Sequence, residues 1–553
     1  MRGRQVFMNS LLAHDVDSIF GNPGTTENSV LDSLIDHPEL QYYVFLHEGV
    51  AVCAANFYAQ ASGKTGIANL HVAPGLGNGI GMIFGGLKAN SPMIITAGQQ
   101  DTRMRLREPL LSHDLVEMAK PVTKWSAEPN SADEIGPMMQ RAFKIAHEPP
   151  AGPVFISLPV NVMEQETEVN ATHSGALDIR PAPSPSDVEQ LVKTLLASDS
   201  PAIVAGDEVA RSGAEALAQL AAQIGAPVWG EGLRGRAALP YGHPSYRGRL
   251  PLEAKALRQI FNNHDVVLML GGQFFEELWY ETEGPFPETT TVIQVENSAE
   301  RIAKNFPVSQ GVVADMGEAL NAAVSGINSE MSSTFKSAME ARNDGLRQQH
   351  EKSANATAAR VKAQWDHNPM SPARAVHEIS QALPDNAVIV DETITASREM
   401  DTLLNVKDPS DFYAGRGGGI GQGLAGVIGT QVAHPERPIV AVSGDGSAMY
   451  SIQALWTAAH HNMPIVFIIL SNKEYRVLKH NLDIYRSRFN VPADRPYPHM
   501  DLTKPELGFV DMAKGMGVGG EVVTNADDLG RVVKKALDAK APYLIDVLIS
   551  GKG

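Results

Sequence analysis

A chain of 553 residues exceeds the roughly 250–300 residues at which one hydrophobic core stops growing, so division into two to four domains is expected, three being the preferred count. Its 43% hydrophobic and 20% charged residues lie in the ordinary globular range and exclude a chain dominated by disorder. A formal net charge of −17, with no long Lys/Arg run, argues against a nucleic-acid partner, and a single cysteine, Cys53, excludes an intrachain disulfide framework or a thiolate metal cluster and reads as a small buried apolar side chain.

The first segment, MRGRQVFMNSLLAHDVDSIFG, reads as a helix followed by a strand. Asn9, Ser10, His14 and Asp15 interrupt its apolar positions, so it lacks a secretory apolar core. No uninterrupted apolar run approaches the roughly 20 residues that span a bilayer. A cytoplasmic protein without a membrane partner is expected.

From residue 1 to about 175, the β-rich runs QYYVFL, GIANLHV, PMIITAG and GPVFISLP alternate with Ala-rich helical stretches such as GVAVCAANFYAQASG. That alternation requires crossover connections and predicts a parallel α/β sheet. The Pro- and Ser-rich HSGALDIRPAPSPSD, starting at His173, reads as a linker. A second α/β unit over 188–325 carries PAIVAGD, APVWG, DVVLMLGG and TTVIQVE. The charged stretch 330–366 predicts a solvated helical connector. A third unit, 367–553, runs from the helix SPARAVHEISQAL through the strands NAVIVDE, RPIVAVSGD, PIVFIILS and YLIDVLI. The expected fold class is therefore α/β, with three tandem doubly wound parallel-sheet domains.

The most informative stretch lies in the third unit. There a strand delivers Gly444-Asp445-Gly446-Ser447 at its carboxyl end and a helix follows. Ligands of open α/β sheets bind at such ends. Glycines admit phosphate oxygens to the backbone, the helix N-terminus offers free N–H donors, Ser447 adds a hydroxyl and Asp445 a hard carboxylate oxygen. Gly-Asp-Gly is also a common turn. The next strand, however, ends in Ser471-Asn472-Lys473-Glu474-Tyr475, which should bring Asn472 to the same sheet edge. Carboxylate, amide oxygen, backbone carbonyl and diphosphate oxygens make a set suited to Mg²⁺.

In the first unit, Glu48 in FLHEGVA leaves a strand and enters a helix, where the dipole alone would stabilise it. GNPGTTE, LHEGVAV, NLHVAPGLGNGIG and TAGQQ occur in that order, and the third unit carries GGGIGQGLAGVIG and GDGSAMYSIQALWTAA. On these motifs nearly the whole chain resembles thiamine-diphosphate enzymes of the pyruvate oxidase and decarboxylase branch, in the form found in benzoylformate decarboxylases.

The resemblance implies a pyrimidine-binding domain over 1–175, a central α/β domain over 188–325 and a diphosphate- and metal-binding domain over 367–553. It implies thiamine diphosphate and Mg²⁺ as cofactors, with the side chains of Asp445 and Asn472 and the carbonyl of Glu474 as metal ligands. Glu48 becomes the carboxylate that activates the aminopyrimidine. Asn78, Thr395, Gly418, Gly444, Gly446, Ser447 and Tyr475 become cofactor contacts, and Ile420 the aliphatic residue beneath the bent cofactor. His71 is implied to handle protons, and Thr25, in place of a serine, to present a hydroxyl to the substrate carboxylate. A homodimer enclosing each cofactor between subunits is implied, a homotetramer being common.

Three departures accompany the resemblance. Ser471 replaces the first Asn of the usual pair, and Leu278 stands where benzoylformate decarboxylases have a second catalytic histidine. Arg476, Lys479, His480 and Asn481 occupy an expected apolar wall, either as exposed helix residues or to hold a second anionic group of the substrate. The implied reaction is nonoxidative decarboxylation of a 2-oxo acid to an aldehyde and carbon dioxide, with a benzoylformate-like acid favoured. A carboligase or lyase of acetolactate synthase or benzaldehyde lyase type, acting on small 2-oxo acids or aldehydes, is the alternative. A noncatalytic nucleotide- or diphosphate-binding subunit is a different class, and it would have no use for Glu48.

Overall fold

The structure, a computed structural model, describes residues 1–551. The first sheet contains β1 (Ser18–Gly21), β2 (Gln41–Val44), β3 (Gly66–Leu70), β4 (Met93–Gln99), β5 (Trp125–Ala127) and β6 (Pro153–Pro159), in the order β2-β1-β3-β4-β6-β5. The second contains β7 (Pro201–Ala205), β8 (Val228–Gly230), β9 (Tyr246–Arg249), β10 (Val266–Leu270), β11 (Thr291–Glu296) and β12 (Gln310–Val313), ordered β12-β11-β10-β7-β8-β9. The third contains β13 (Val388–Glu392), β14 (Phe412–Ala414), β15 (Ile439–Gly444), β16 (Ile465–Ser471), β17 (Gly519–Val523) and β18 (Tyr543–Leu548), ordered β14-β13-β15-β16-β18-β17.

The interior strands are the apolar runs visible in the sequence. β4, β6 and β16 are buried at every position, as parallel strands covered on both faces must be. β5, β9, β12, β14 and β17 were not among the predicted strands. Each closes one edge of its sheet, where one-sided pairing demands no continuous apolar run. The expected three-sheet α/β fold is otherwise the one observed.

Contacts gather the chain into two compact units. One comprises Met1–Leu177, Asp366–Ser397 and Ala414–Gly553; the other comprises Asp178–Trp365 and Arg398–Tyr413. In the first unit, the helix Glu48–Ser62 packs on the helix Gln422–Ala433. A methyl at Gly426 would lie 2.6 Å from the Phe57 ring, and one at Gly429 would collide with the carbonyl of Ala54. These glycines let two helix backbones meet. Cys53 lies in this contact, fully buried, with its thiol directed at the Gln422 carbonyl.

In the second unit, the helix Ser333–Ala363 buries only Phe335, Leu346 and Val361, which matches the solvated helix expected over 330–366. Residues 171–184 carry no helix or strand, as the linker composition implied. No helix among the described residues is long and apolar enough to cross a membrane.

Candidate active site

In the third sheet the chain leaves β13 toward one edge and returns at β15, so the switch point lies between these two strands. β15 ends at Gly444, and the short helix Asp445–Ala448 follows directly. A methyl at Gly444 would meet only the carbonyl of Thr393, at 3.9 Å, so this strand end opens onto free space. Thr393, buried just past the end of β13, has a hydroxyl with no hydrogen-bond partner. A buried orphan hydroxyl at a switch point has the chemistry to donate to a phosphate oxygen.

β15 and β16 pair with Gly444 opposite Leu470, so the residues after β16 emerge beside Asp445, as expected for Asn472. The Lys473 amide donates to Asp445 Oδ2 at 2.6 Å, and the Gly446 amide to Oδ1 at 2.7 Å. Burial pushes the Asp445 carboxyl up to about 6, against these backbone donors, which favour the anion. Asn472 Oδ1 accepts from the Glu474 amide at 3.0 Å, closing a turn across Lys473. Among the described residues, no three His, Cys, Asp or Glu side chains cluster as a metal site. One carboxylate with amide and carbonyl oxygens is a donor set suited to a hard cation that keeps other oxygen ligands. The Tyr475 ring covers Gly446, where a methyl would lie 2.6 Å from Cε1. Ser447 is buried.

The loop bearing Gly418 and Ile420 is anchored by a residue absent from the sequence-based candidates. Glu392, the last residue of β13, accepts from Gly421 and Gln422 through Oε1 (2.8 and 2.9 Å) and from Gly423 through Oε2 (2.9 Å). It caps the helix Gln422–Ala433, where free N–H groups favour a carboxylate. Burial raises its pKa to about 7 while the three amides pull the other way. Its only sequence signal was an acid at a strand end. Thr395 and Gly418 are exposed.

In the first sheet, Glu48 opens the helix Glu48–Ser62 behind the N-cap His47, whose Nδ1 accepts from the Gly49 amide at 3.0 Å. The Glu48 side chain is buried and accepts from Asn78 Nδ2 at 3.0 Å. A methyl at Gly75 would lie 3.0 Å from Glu48 Oε1, so glycine leaves that oxygen room. Glu48 and Asn78, 30 residues apart, are thus brought together.

His71 Nδ1 lies 2.8 Å from Glu27 Oε2 and 3.2 Å from the Thr26 hydroxyl. Glu27 is fully buried and also accepts from the Gly24 and Gly98 amides, both at 2.8 Å. A carboxylate so placed assigns the imidazole proton to Nδ1 and leaves Nε2 for chemistry. Thr25, two residues from Glu27, is exposed. Glu27 lies in the GNPGTTE motif but is not among the residues expected from sequence to act.

Strained backbone accompanies these groups. Val72, Ile394 and Lys473 have φ of 40°, 53° and 60°, unusual for side-chain-bearing residues and worst for β-branched ones. Each adjoins a candidate residue: His71, Thr395 and Asn472. Ten further non-Gly residues with positive φ lie elsewhere among the described residues, so strain by itself does not mark the site.

Leu278 belongs to the second unit and is 59% exposed. Lys479 is neither an exposed helix residue nor a free cation, because its ammonium binds the Glu474 carboxylate and Asp501 Oδ1, the latter at 2.6 Å. It braces the Asn472–Tyr475 turn instead. His480 is exposed.

Sheets that open at a switch point onto a glycine-flanked carboxylate mark an α/β protein that takes a phosphorylated cofactor. Residues 1–118, 188–323 and 395–547 match, respectively, the N-terminal TPP binding domain, the central domain and the C-terminal TPP binding domain of thiamine pyrophosphate enzymes. The chain belongs to this family, as a thiamine-diphosphate-dependent enzyme. It is 31% identical over 542 residues to benzoylformate decarboxylase of Pseudomonas aeruginosa, covering 97% of each chain. It is 26% identical over 555 residues to a putative acetolactate synthase large subunit of Mycobacterium tuberculosis, covering 99% of each. The solved thiamine diphosphate-dependent 4-hydroxybenzoylformate decarboxylase of Rhodococcus jostii RHA1 matches with a TM-score of 0.86 at 28% identity, over 100% of this chain and 99% of that one.

Proposed function

We propose that the chain catalyses nonoxidative decarboxylation of a 2-oxo acid to an aldehyde and carbon dioxide, with an aromatic, benzoylformate-like acid as the favoured substrate. The observation that carries this reading is the His71–Glu27 pair at 2.8 Å, a proton-handling imidazole in the same half as the buried Glu48. Full-length similarity to a benzoylformate decarboxylase supports the substrate class.

Thiamine diphosphate, when bound, supplies the electron sink for the departing carbon dioxide. Asp445, Asn472 and the Glu474 carbonyl would hold Mg²⁺, which would neutralise diphosphate charge. The orphan Thr393 hydroxyl, the Ser447 hydroxyl and the glycine-lined strand end suit the phosphate oxygens. Thr395, Gly418, Gly444, Gly446 and Tyr475 would line the cofactor, and Ile420 would support it. Glu48, steadied by Asn78, accepts a hydrogen bond from the pyrimidine ring.

Thr25 binds the substrate carboxylate through its hydroxyl. His71 Nε2 moves a proton to or from the substrate, and Glu27 stabilises the imidazolium formed when it holds one. Leu278 has no proton to give, so His71 is the imidazole assigned to these transfers. The pyrimidine-binding half of one subunit and the diphosphate-binding half of a second enclose each cofactor, making a homodimer the active form and a homotetramer its expected assembly.

A panel of 2-oxo acids, benzoylformate and pyruvate included, tests this with the purified chain, thiamine diphosphate and Mg²⁺. Stoichiometric carbon dioxide and aldehyde from an aromatic acid is the expected result. No carbon dioxide from any acid would reject decarboxylation. Condensation of pyruvate, or ligation of aldehydes, would favour the carboligase reading that the acetolactate synthase relatives suggest.

A further inference from the structure

β2 is an edge strand, so the backbone groups on its outer side have no ladder partner. The Phe45 amide bonds inward to the Gly21 carbonyl at 2.9 Å, and the alternation of a strand then turns the N–H and C=O of Val44 outward. Both are met by side chains from one turn of the third-sheet half. Thr457 Oγ1 donates to the Val44 carbonyl at 3.1 Å, and the Val44 amide donates to His461 Nε2 at 3.0 Å. Thr457 is fully buried in the helix Ala454–His460, and His461 is its C-cap. Positions four apart share a helix face, so the pair holds both outward backbone groups of one residue, Val44. Only Phe45, Leu46 and His47 separate Val44 from Glu48.

We propose that Thr457 and His461 are positioning residues for Glu48: from the diphosphate-binding half they clamp Val44 and so fix where the carboxylate enters the pyrimidine-binding half. The inference rests on the role assigned to Glu48. It also makes the clamp sensitive to acid, because an imidazole nitrogen that accepts must be unprotonated. Burial first, and then His460, lower the His461 pKa to about 4. The titratable groups facing it are His460, edge-on at 4.8 Å and itself stacked on Trp456, and Tyr43 of β2, whose ring lies at 5.1 Å. With the folded pKa below the ordinary imidazole value of 6.5, the clamp's contribution is fully present above 6.5 and is lost as pH falls through about 4.

Hydrogen–deuterium exchange of the peptide spanning Val44–Glu48, with steady-state kinetics of the holoenzyme, tests the clamp. Thr457→Val with His461→Ala should speed exchange there roughly tenfold or more and leave the interior strands unchanged. It should lower kcat about tenfold with KM within about twofold, as expected for a misplaced catalytic group. His461→Gln supplies a neutral acceptor and should restore both, and its protection should no longer fall with pH as the wild type's does. Unchanged exchange in the double variant, or a kcat loss that His461→Gln does not restore, would overturn the clamp. Raised exchange in the double variant together with wild-type turnover in Glu48→Gln would overturn the positioning role by removing the function assigned to Glu48, while the contact itself stands.

Discussion

The second and third sheets are wound alike, yet their switch points end differently. In the third, between β13 and β15, the side of Gly444 is open and the Thr393 hydroxyl is unpaired. In the second, between β10 and β7, the equivalent crevice is filled from within. The Asp207 amide donates to Glu231 Oε1 at 3.3 Å, the Gln273 amide to Glu231 Oε2 at 3.1 Å, and the Gly272 amide to Glu296 Oε1 at 3.4 Å. Two carboxyl groups take the backbone donors that an incoming phosphate would need. Architecture offers a ligand site at every switch point; which group satisfies the strand-end donors decides whether it is used.

The largest test of this contrast is Asp445→Ala. Removing the sole side-chain carboxylate of the proposed Mg²⁺ set should abolish metal-dependent cofactor binding and lower kcat/KM by ~10³-fold or more. Calorimetry with thiamine diphosphate and Mg²⁺ checks it, and the same titration with Glu231→Gln, a crevice change in the central sheet, should give wild-type affinity. If Glu231→Gln were as damaging as Asp445→Ala, the central crevice would share in cofactor binding and the contrast would fail.

A smaller effect is expected from Glu48→Gln, which keeps the shape of the side chain and its contact with Asn78. Cofactor affinity should remain within about threefold while kcat falls by ~10²–10³-fold, the range for loss of acid–base assistance. Wild-type turnover would contradict the activating role and leave the third-sheet site as a simple diphosphate binder.

How much of this was legible in the sequence follows from what each feature depends on. Asp445 and Asn472 sit at the ends of consecutive apolar strands, so one-dimensional spacing carried their meeting. Interior strands were readable because two-sided burial demands apolar runs; the edge strands β5, β9, β12, β14 and β17 carry no such demand. Glu27 and Glu392 escaped notice because what holds them includes backbone amides far along the chain: Gly98 lies 71 residues from Glu27, and Gly421 lies 29 residues from Glu392. An amide leaves no mark in residue identity. Lys479 was read from its charge alone, but its position after the turn puts its ammonium on Glu474 and Asp501. Val44, held only through backbone atoms, gave no signal at all.

The smallest effect concerns the filled crevice itself. Glu296 is fully buried, one of its oxygens has no hydrogen-bond partner, and burial pushes its pKa up to about 8. A carboxyl whose folded pKa lies above the ordinary glutamate value of 4.5 stays protonated in the folded chain while the unfolded chain has released its proton. Stability is therefore progressively lost as pH rises from 4.5 toward 8, and the loss is complete above that. Glu296→Gln keeps the shape and cannot ionise, so it should raise the melting temperature of the second unit at about pH 8 by ~2–4 °C for each kcal/mol recovered. The gain should shrink as pH falls toward 5. A gain independent of pH would mean that packing, not ionisation, limits the site, and a loss at pH 8 would mean that Glu296 is held as an anion after all. Either result would change the physical account of how the central sheet closes its crevice while leaving the third-sheet site untouched.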